Sequence, residues 1–361
     1  MEKITVLIID DSSVIRSIIK EVLRDVETIE VVGEAKDPLV ARTLIKQLNP
    51  DVLTLDVEMP KMDGITFLSN LMRLRPMPVV MLSTLTTKGA DTTFKALELG
   101  AIDFIAKPSF EDLTGQKEQF KQLLVEKISY AASVRNTTFT SNQCVVANRQ
   151  VEINQFKGCR RSNHLIAIGA STGGTDAIKS LLITLPSNAP AIVIALHIPS
   201  LFSARFAERM NKNSQVTVQE ATHGEQIKDG HVYIAPGGKH LKVGSKLSGL
   251  FCILEDTAPV NRHKPAVDVL FNSLQPLAAN VQAVILTGMG QDGANGLLSL
   301  KERGAMTIIQ DKDSSLVWGM PGYAHKLNAH RQELPLASIA QSLLKHANQG
   351  WDMIKEKAYE D

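Results

Sequence analysis

The chain has 361 residues, 44% hydrophobic and 21% charged, which is material for two packed domains of ordinary size. Lys and Arg number 39 against 38 Asp and Glu, and the resulting net charge of +1 provides no general attraction to nucleic acid or to an anionic membrane. The three cysteines (Cys144, Cys159, Cys252) are scattered and odd in number, and Asp10 and Asp11 cut short the early apolar run Val6–Ile9. These features argue against a disulfide framework, a signal segment and a membrane span, and they favour a cytoplasmic protein.

Strand and helix alternate from Met1 to about Tyr130. Thr5–Ile9 reads as a buried strand, with Ser12 or Ser13 capping the helix after it. Glu30–Ala35 is more polar and belongs at or near a sheet edge. Asp37-Pro38 is a helix start, with Asp as cap and Pro at the first helical position. Val52–Leu55, Val79–Leu82 and Ile102–Ile105 complete a set of five strands, and Gly100 ends the helix before the last. The pattern predicts an α/β, doubly wound, flavodoxin-like parallel sheet.

Polar groups follow four of these strands: Asp10 and Asp11, Asp56, then Ser83 with Thr84, then Lys107 before Pro108. Carboxylates gathered at one sheet edge repel one another, and a hard divalent cation resolves that repulsion. A carboxylate beside such a cation can attack phosphorus, and a lysine and a hydroxyl nearby can hold the phosphoryl oxygens. Taken singly, each acid could equally cap a helix or face solvent. The ordered set resembles the receiver domain of two-component response regulators. That resemblance implies Asp56 as the phosphoryl acceptor and Ser83 and Lys107 as the groups that sense it. It also implies Mg²⁺ held by Asp11, Asp56 and the Glu58 carbonyl, assisted by Asp10.

Between about Glu126 and Arg160 the texture turns polar, as in Ser133–Gln143, and periodic signals fade. The expected division is a first domain over 1–125, a connecting segment over 126–160, a second α/β domain over 161–349 and a tail over 350–361. If flexible, the 35-residue connection spans roughly 30 Å root-mean-square.

In the second domain three β-prone runs each lead into one polar residue. Leu165–Gly169 leads to Ser171, Ala191–Leu196 to His197, and Val281–Leu286 to Asp292. Functional groups of a parallel sheet gather at the carboxyl ends of its strands, so a nucleophile, a base and a base-orienter can meet there. Gly169-Ala-Ser-Thr-Gly173 matches G-x-S-x-G, a turn that exposes a serine but that can equally cradle a phosphate. Asp292 lies in the Gly-rich loop Thr287–Gly293 and reads either as a triad member or as the cap of the helix Ala294–Arg303. The order Ser, His, Asp disfavours a standard α/β-hydrolase. A hairpin around Gly244-Ser245 and Gly249 predicts a mixed, mostly parallel sheet.

Ile168–Gly174, His197–Pro199, Ile234–His240, Pro259–His263, Val267–Phe271, Gly288–Gly293 and Trp318–Pro321 together resemble the catalytic domain of chemotaxis protein-glutamate methylesterases. The departures are small: Leu196 and Ile198 flank the histidine where Gln and Met are frequent, and Gln291 stands where Asn is frequent. The resemblance implies a serine hydrolase that releases methanol from receptor glutamate γ-methyl esters and deamidates receptor glutamines, needing no cofactor for ester hydrolysis. It implies Ser171, His197 and Asp292 as catalytic residues and the Met289 amide at the oxyanion. The implied partners are methyl-accepting chemotaxis receptors and a chemotaxis histidine kinase, and the chain is expected to be a monomer. A receiver tethered at roughly millimolar effective concentration would inhibit its neighbour until phosphorylated. The competing reading is a response regulator whose second domain only binds a partner or a nucleotide.

Overall fold

The structure, a computed structural model, describes residues 3–60, 62–84, 86–108, 117–134 and 164–349. It divides into two units, Met1–Arg149 and Gln150–Asp361.

In the first unit the strands are β1 (Ile4–Ile9), β2 (Ile29–Ala35), β3 (Val52–Asp56), β4 (Val79–Ser83) and β5 (Asp103–Ala106). They stand in the order β2-β1-β3-β4-β5, with every neighbouring pair parallel. The helices are α1 (Ser13–Leu23), α2 (Pro38–Leu48), α3 (Gly64–Leu74), α4 (Thr87–Glu98) and α5 (Lys117–Val134). Val6, Leu7, Ile8 and Ile9 are all fully buried, as a strand covered on both faces requires. The more polar β2 takes an edge, as its composition predicts. Ser12 Oγ accepts from Ile15 N–H at 3.4 Å, and Asp37 Oδ1 accepts from Leu39 and Val40 N–H, both at 3.0 Å. Gly100, at φ 104°, turns the chain after α4 in a conformation that only glycine adopts freely. Helix α5 runs through position 126, where the sequence places the start of the connecting segment. The rest of that segment, with Cys144 and Cys159, and the tail from 350 onward lie outside the described residues.

The second unit is built on seven strands: β6 (Leu165–Ala170), β7 (Ala191–Leu196), β8 (Thr217–Glu220), β9 (His231–Ile234), β12 (Val281–Ile285), β13 (Met306–Gln310) and β14 (Gln332–Leu334). Their order is β14-β13-β12-β6-β7-β9-β8, and each pairing is parallel. The hairpin β10 (His240–Lys246) and β11 (Gly249–Glu255) forms its own two-stranded antiparallel sheet. This corrects the expectation of a mixed sheet, because the hairpin packs beside the main sheet instead of joining its ladder. One face of the sheet packs on α8 (Val267–Ser273), α9 (Ala294–Glu302), α10 (Met320–Lys326) and the hairpin. The other face carries α6 (Gly174–Leu182), α7 (Ser200–Asn213) and α11 (Leu336–Gln349). Leu270, Phe271, Leu297 and Leu300 are fully buried in the first layer, each worth about 1.5–3 kcal/mol of transfer free energy. From β6 the chain runs outward through β7 on one side, and the strands from β12 onward lie on the other. The carboxyl ends of β6 and β12 therefore flank a topological switch point, where such sheets open a crevice.

Candidate active site and carboxylate cluster

Ser171 begins the turn after β6, and its position follows from the sheet register. Ala170 pairs with Leu196, and His197 N–H donates to Ala170 O at 3.2 Å, which sets Ser171 beside His197. On its other side Ser171 N–H donates to Thr287 O at 3.1 Å. The motif glycines have steric duties. A Cβ at Gly169 would lie 2.2 Å from Val267 Cγ1, and Gly173 sits at φ 75°. Gly288 must also stay bare, since a Cβ there would come within 2.9 Å of Ser171 Cβ.

His197 Nε2 and Asp292 Oδ2 are 2.9 Å apart, with the side chains 7% and 1% exposed. With a proton shared along that contact, Nδ1 carries the ring's lone pair. His197 Nδ1 is buried and has no hydrogen-bond partner among the described residues, so it makes no bond to Ser171 Oγ in this structure. The sequence-predicted residues therefore meet as a bonded His–Asp pair with the serine on the adjoining strand end.

Asp292 does not cap α9, which follows it; the residue before that helix, Gly293, has no side chain to cap with. It caps α8, accepting from Val267 N–H at 2.6 Å and Asp268 N–H at 3.1 Å. Asp268 returns the favour, accepting from Gly296 N–H of α9 at 2.7 Å. Asn261 Nδ2 bridges the two carboxylates, at 2.7 Å from Asp268 Oδ2 and 2.8 Å from Asp292 Oδ1. Burial pushes the Asp292 carboxyl up, but the bonds from His197, Asn261 and the Val267 amide outweigh it and hold it below the usual range. Burial raises Asp268, and the Asp292 charge adds to that effect.

Asn261 and His263 come from one tight turn. Val260 and His263 exchange backbone bonds of 3.1 and 2.9 Å, while Asn261 and Arg262 between them have φ 52° and 68°. That is the geometry of a type I′ turn. The His263 ring stacks on His197, with centroids 3.6 Å apart and planes 8° from parallel. One turn thus contacts both members of the His–Asp pair. Sequence reasoning assigned no role to Asn261, His263 or Asp268. The available signal was Asn at the turn's first central position, weakened by the absence of a following glycine.

Met289 follows Gly288, whose N–H donates to Val317 O at 3.0 Å and whose carbonyl accepts from Gly319 and Met320 N–H at 3.1 and 2.7 Å. The loop is thereby braced against the Trp318 segment, next to Ser171.

In the first unit Lys107 Nζ lies 2.7 Å from Asp10 Oδ2 and 2.8 Å from Asp56 Oδ1. Asp10, Asp11 and Asp56 place one carboxylate oxygen each within 4.8 Å of one another. Burial, and secondly the Asp10 charge, push the Asp56 carboxyl up to about 6. Burial also raises Asp10, against the pull of Lys107. The Lys107 ammonium is opposed by burial, yet the Asp56 and Asp10 charges raise it. Three carboxylates against one ammonium form an all-oxygen, anionic donor set, which fits a hard divalent cation. Ser83 is fully buried at the end of β4, with its hydroxyl 3.3 Å from Thr84 O. Glu58 is exposed, and its N–H donates to Asp56 Oδ1 at 3.2 Å. Among the described residues no helix is long and apolar enough to cross a membrane.

Comparison with known proteins places these two sites in a family. Residues 6–116 match the response regulator receiver domain, and residues 166–343 match the CheB methylesterase domain. Over 346 residues the chain is 49% identical to protein-glutamate methylesterase/protein-glutamine glutaminase 2 of Xanthomonas oryzae pv. oryzae (strain MAFF 311018), covering 94% of this chain and 96% of the relative. It is also 49% identical over 372 residues to a protein of that name from Hydrogenovibrio crunogenus, covering 95% and 99%. The crystal structure of the Thermotoga maritima CheB methylesterase catalytic domain matches with a TM-score of 0.50 and 35% identity, over 51% of this chain and 99% of that one. The chain belongs to the family of protein-glutamate methylesterases/protein-glutamine glutaminases, in which a response regulator receiver domain precedes a CheB methylesterase domain.

Proposed function

We propose that the chain is a phosphorylation-activated serine hydrolase that demethylates glutamate γ-methyl esters on chemoreceptors and deamidates receptor glutamines, serving adaptation in chemotaxis. The observation that carries the reading is the Nδ1 of His197, buried and without a hydrogen-bond partner among the described residues, opposite the nitrogen tied to Asp292 and beside the Ser171 strand end. Ser171 Oγ attacks the ester carbonyl carbon as His197 Nδ1 takes its proton. A C–O bond forms, the carbonyl π electrons move onto oxygen, and the Met289 N–H donates to that oxyanion. One such donor is worth about 10²–10³ in rate. As the intermediate collapses, His197 passes its proton to the departing methanol, or to ammonia when the substrate is a glutamine. Water, deprotonated by His197, then cleaves the acyl-serine to leave glutamate and restore Ser171. Asp292 keeps the imidazole in its tautomer and offsets its transient positive charge. Ester hydrolysis needs no cofactor.

In the first unit Asp56 is the phosphoryl acceptor, with a histidine kinase as donor. Asp10, Asp11, Asp56 and the Glu58 carbonyl would hold Mg²⁺, which neutralises charge on the incoming phosphoryl group when bound. Lys107 pairs with the phosphoryl oxygens and Ser83 donates its hydroxyl to them.

The test is release of labelled methanol from methylated receptor fragments, with and without a small-molecule phosphodonor and Mg²⁺. Release that rises with phosphodonor and vanishes in Ser171→Ala is the expected result. Wild-type release by Ser171→Ala refutes the nucleophile assignment, and release indifferent to the donor refutes the activation.

A further inference from the structure

We propose that His325, His330 and Glu333 form a metal site of the zinc class, built from residues that the esterase reading does not use. His325 is in the last turn of α10, Glu333 is on β14, and His330 lies in the short connection between them. One ligand atom from each lies within 4.8 Å of the other two. Two imidazoles and a carboxylate are the donor set with which proteins bind Zn²⁺ while leaving one coordination position open.

Two further observations point to a ligand. His325 Nδ1 and Glu333 Oε2 are already 2.8 Å apart, and the His330 ring stacks on His325 at 5.1 Å between centroids. That pairing engages His325 Nδ1 and Glu333 Oε2 but leaves His330 Nδ1 buried and, among the described residues, without a hydrogen-bond partner. A buried polar nitrogen with no bond calls for an explanation, and a metal supplies one.

Zinc bonds of 2.0–2.2 Å set tetrahedral ligand atoms about 3.4 Å apart. Closing a separation of up to 4.8 Å to that value needs no more than about 1.4 Å of movement. The His325 and Glu333 side chains, 48% and 30% exposed, have the rotamer freedom to supply it.

Trp318 makes the site observable. Its ring centroid is 5.4 Å from that of His325, and its indole N–H donates to Gln310 O at 3.2 Å. The chain has two tryptophans, so Trp351→Phe leaves Trp318 as the only indole reporter.

The experiment uses metal-free full-length Trp351→Phe protein in excess Mg²⁺, which occupies the carboxylate cluster of the first unit. Zn²⁺ is added against a chromophoric chelator while Trp318 emission is followed. The expected result is one tight Zn²⁺ per chain, with emission changing in step. His330→Gln and, separately, Glu333→Gln should each weaken binding by at least about tenfold, with circular dichroism confirming that both variants fold. Zn²⁺ binding unchanged in both folded variants, or Trp318 emission that does not move as the metal loads, overturns the site.

Discussion

Ser171→Ala should lower kcat by about 10⁴–10⁶, with KM for methylated receptor fragments nearly unchanged, because the hydroxyl contributes to chemistry and little to binding. Asn261→Ala is the more informative substitution. It strips one hydrogen bond from each of two buried carboxylates, Asp268 and Asp292, while sparing every reacting group. The expected cost is about 1–3 kcal/mol of stability, and about 10–10² in kcat from a misplaced imidazole. Steady-state kinetics beside chemical denaturation separates the two effects, and unchanged kcat would show that the bridge serves folding alone. His263→Ala removes the ring stacked on His197 and should also lower kcat, whereas His263→Phe keeps an aromatic face and should recover part of it.

Asp56 supplies the pH prediction. Its folded-state carboxyl, raised to about 6, binds a proton more tightly than it does in the unfolded chain, where the ordinary value is 3.8. Between those values the folded state holds the extra proton, so stability falls as pH rises through the window. In Mg²⁺-free buffer Asp56→Asn should therefore be more stable than wild type at pH 7. The difference should shrink as pH falls toward 4, where wild-type Asp56 is itself neutral. Denaturant melts of both proteins across pH 4–7 check this, and a difference independent of pH would contradict it.

At the scale of elements, the site depends on how closely β6 approaches α8. Gly169 is bare because Val267 occupies the space a Cβ would need, 2.2 Å from its Cγ1. Gly169→Ala should cost about 1–3 kcal/mol through overpacking, and it should lower turnover because it displaces the helix end that Asp292 caps. Val267→Ala added to it should restore part of both losses, since the second substitution vacates the contested volume. Thermal melts of the two single variants and the double variant measure the coupling. Much at this scale is legible in the sequence: the caps at Ser12 and Asp37, the turn at Gly100 and the three strand ends that present Ser171, His197 and Asp292. The reciprocal capping of α8 and α9 is not, because it pairs Asp292 with backbone 25 residues away in the chain. Local rules assign a cap to the helix that follows it.

At the scale of the whole molecule, two sheets repeat one device. Each gathers polar side chains at the carboxyl ends of strands beside the point where strand order reverses, Asp10 and Asp56 in one and Ser171 with the Thr287–Gly293 loop in the other. The sequence predicts a connecting segment over 126–160, and a flexible connection would hold each domain at roughly millimolar effective concentration near the other. Removal of residues 1–160 should accordingly raise basal methanol release. A folded fragment with unchanged or lower activity would refute inhibition by the receiver.

The sequence by itself determined the α/β class, the five-stranded parallel first sheet and the placement of Ser171, His197 and the Asp292 loop after strands of the second sheet. Those features rest on local periodicity, turn residues and chain order, which the sequence displays directly. Tertiary structure alone decided that the β10–β11 hairpin stands apart from the main sheet. It alone placed the Val260–His263 turn against the His197–Asp292 pair, and His325 and His330 beside Glu333. Those arrangements depend on packing between elements distant in the chain or on which way a side chain points across a short connection, and neither periodicity nor spacing encodes that.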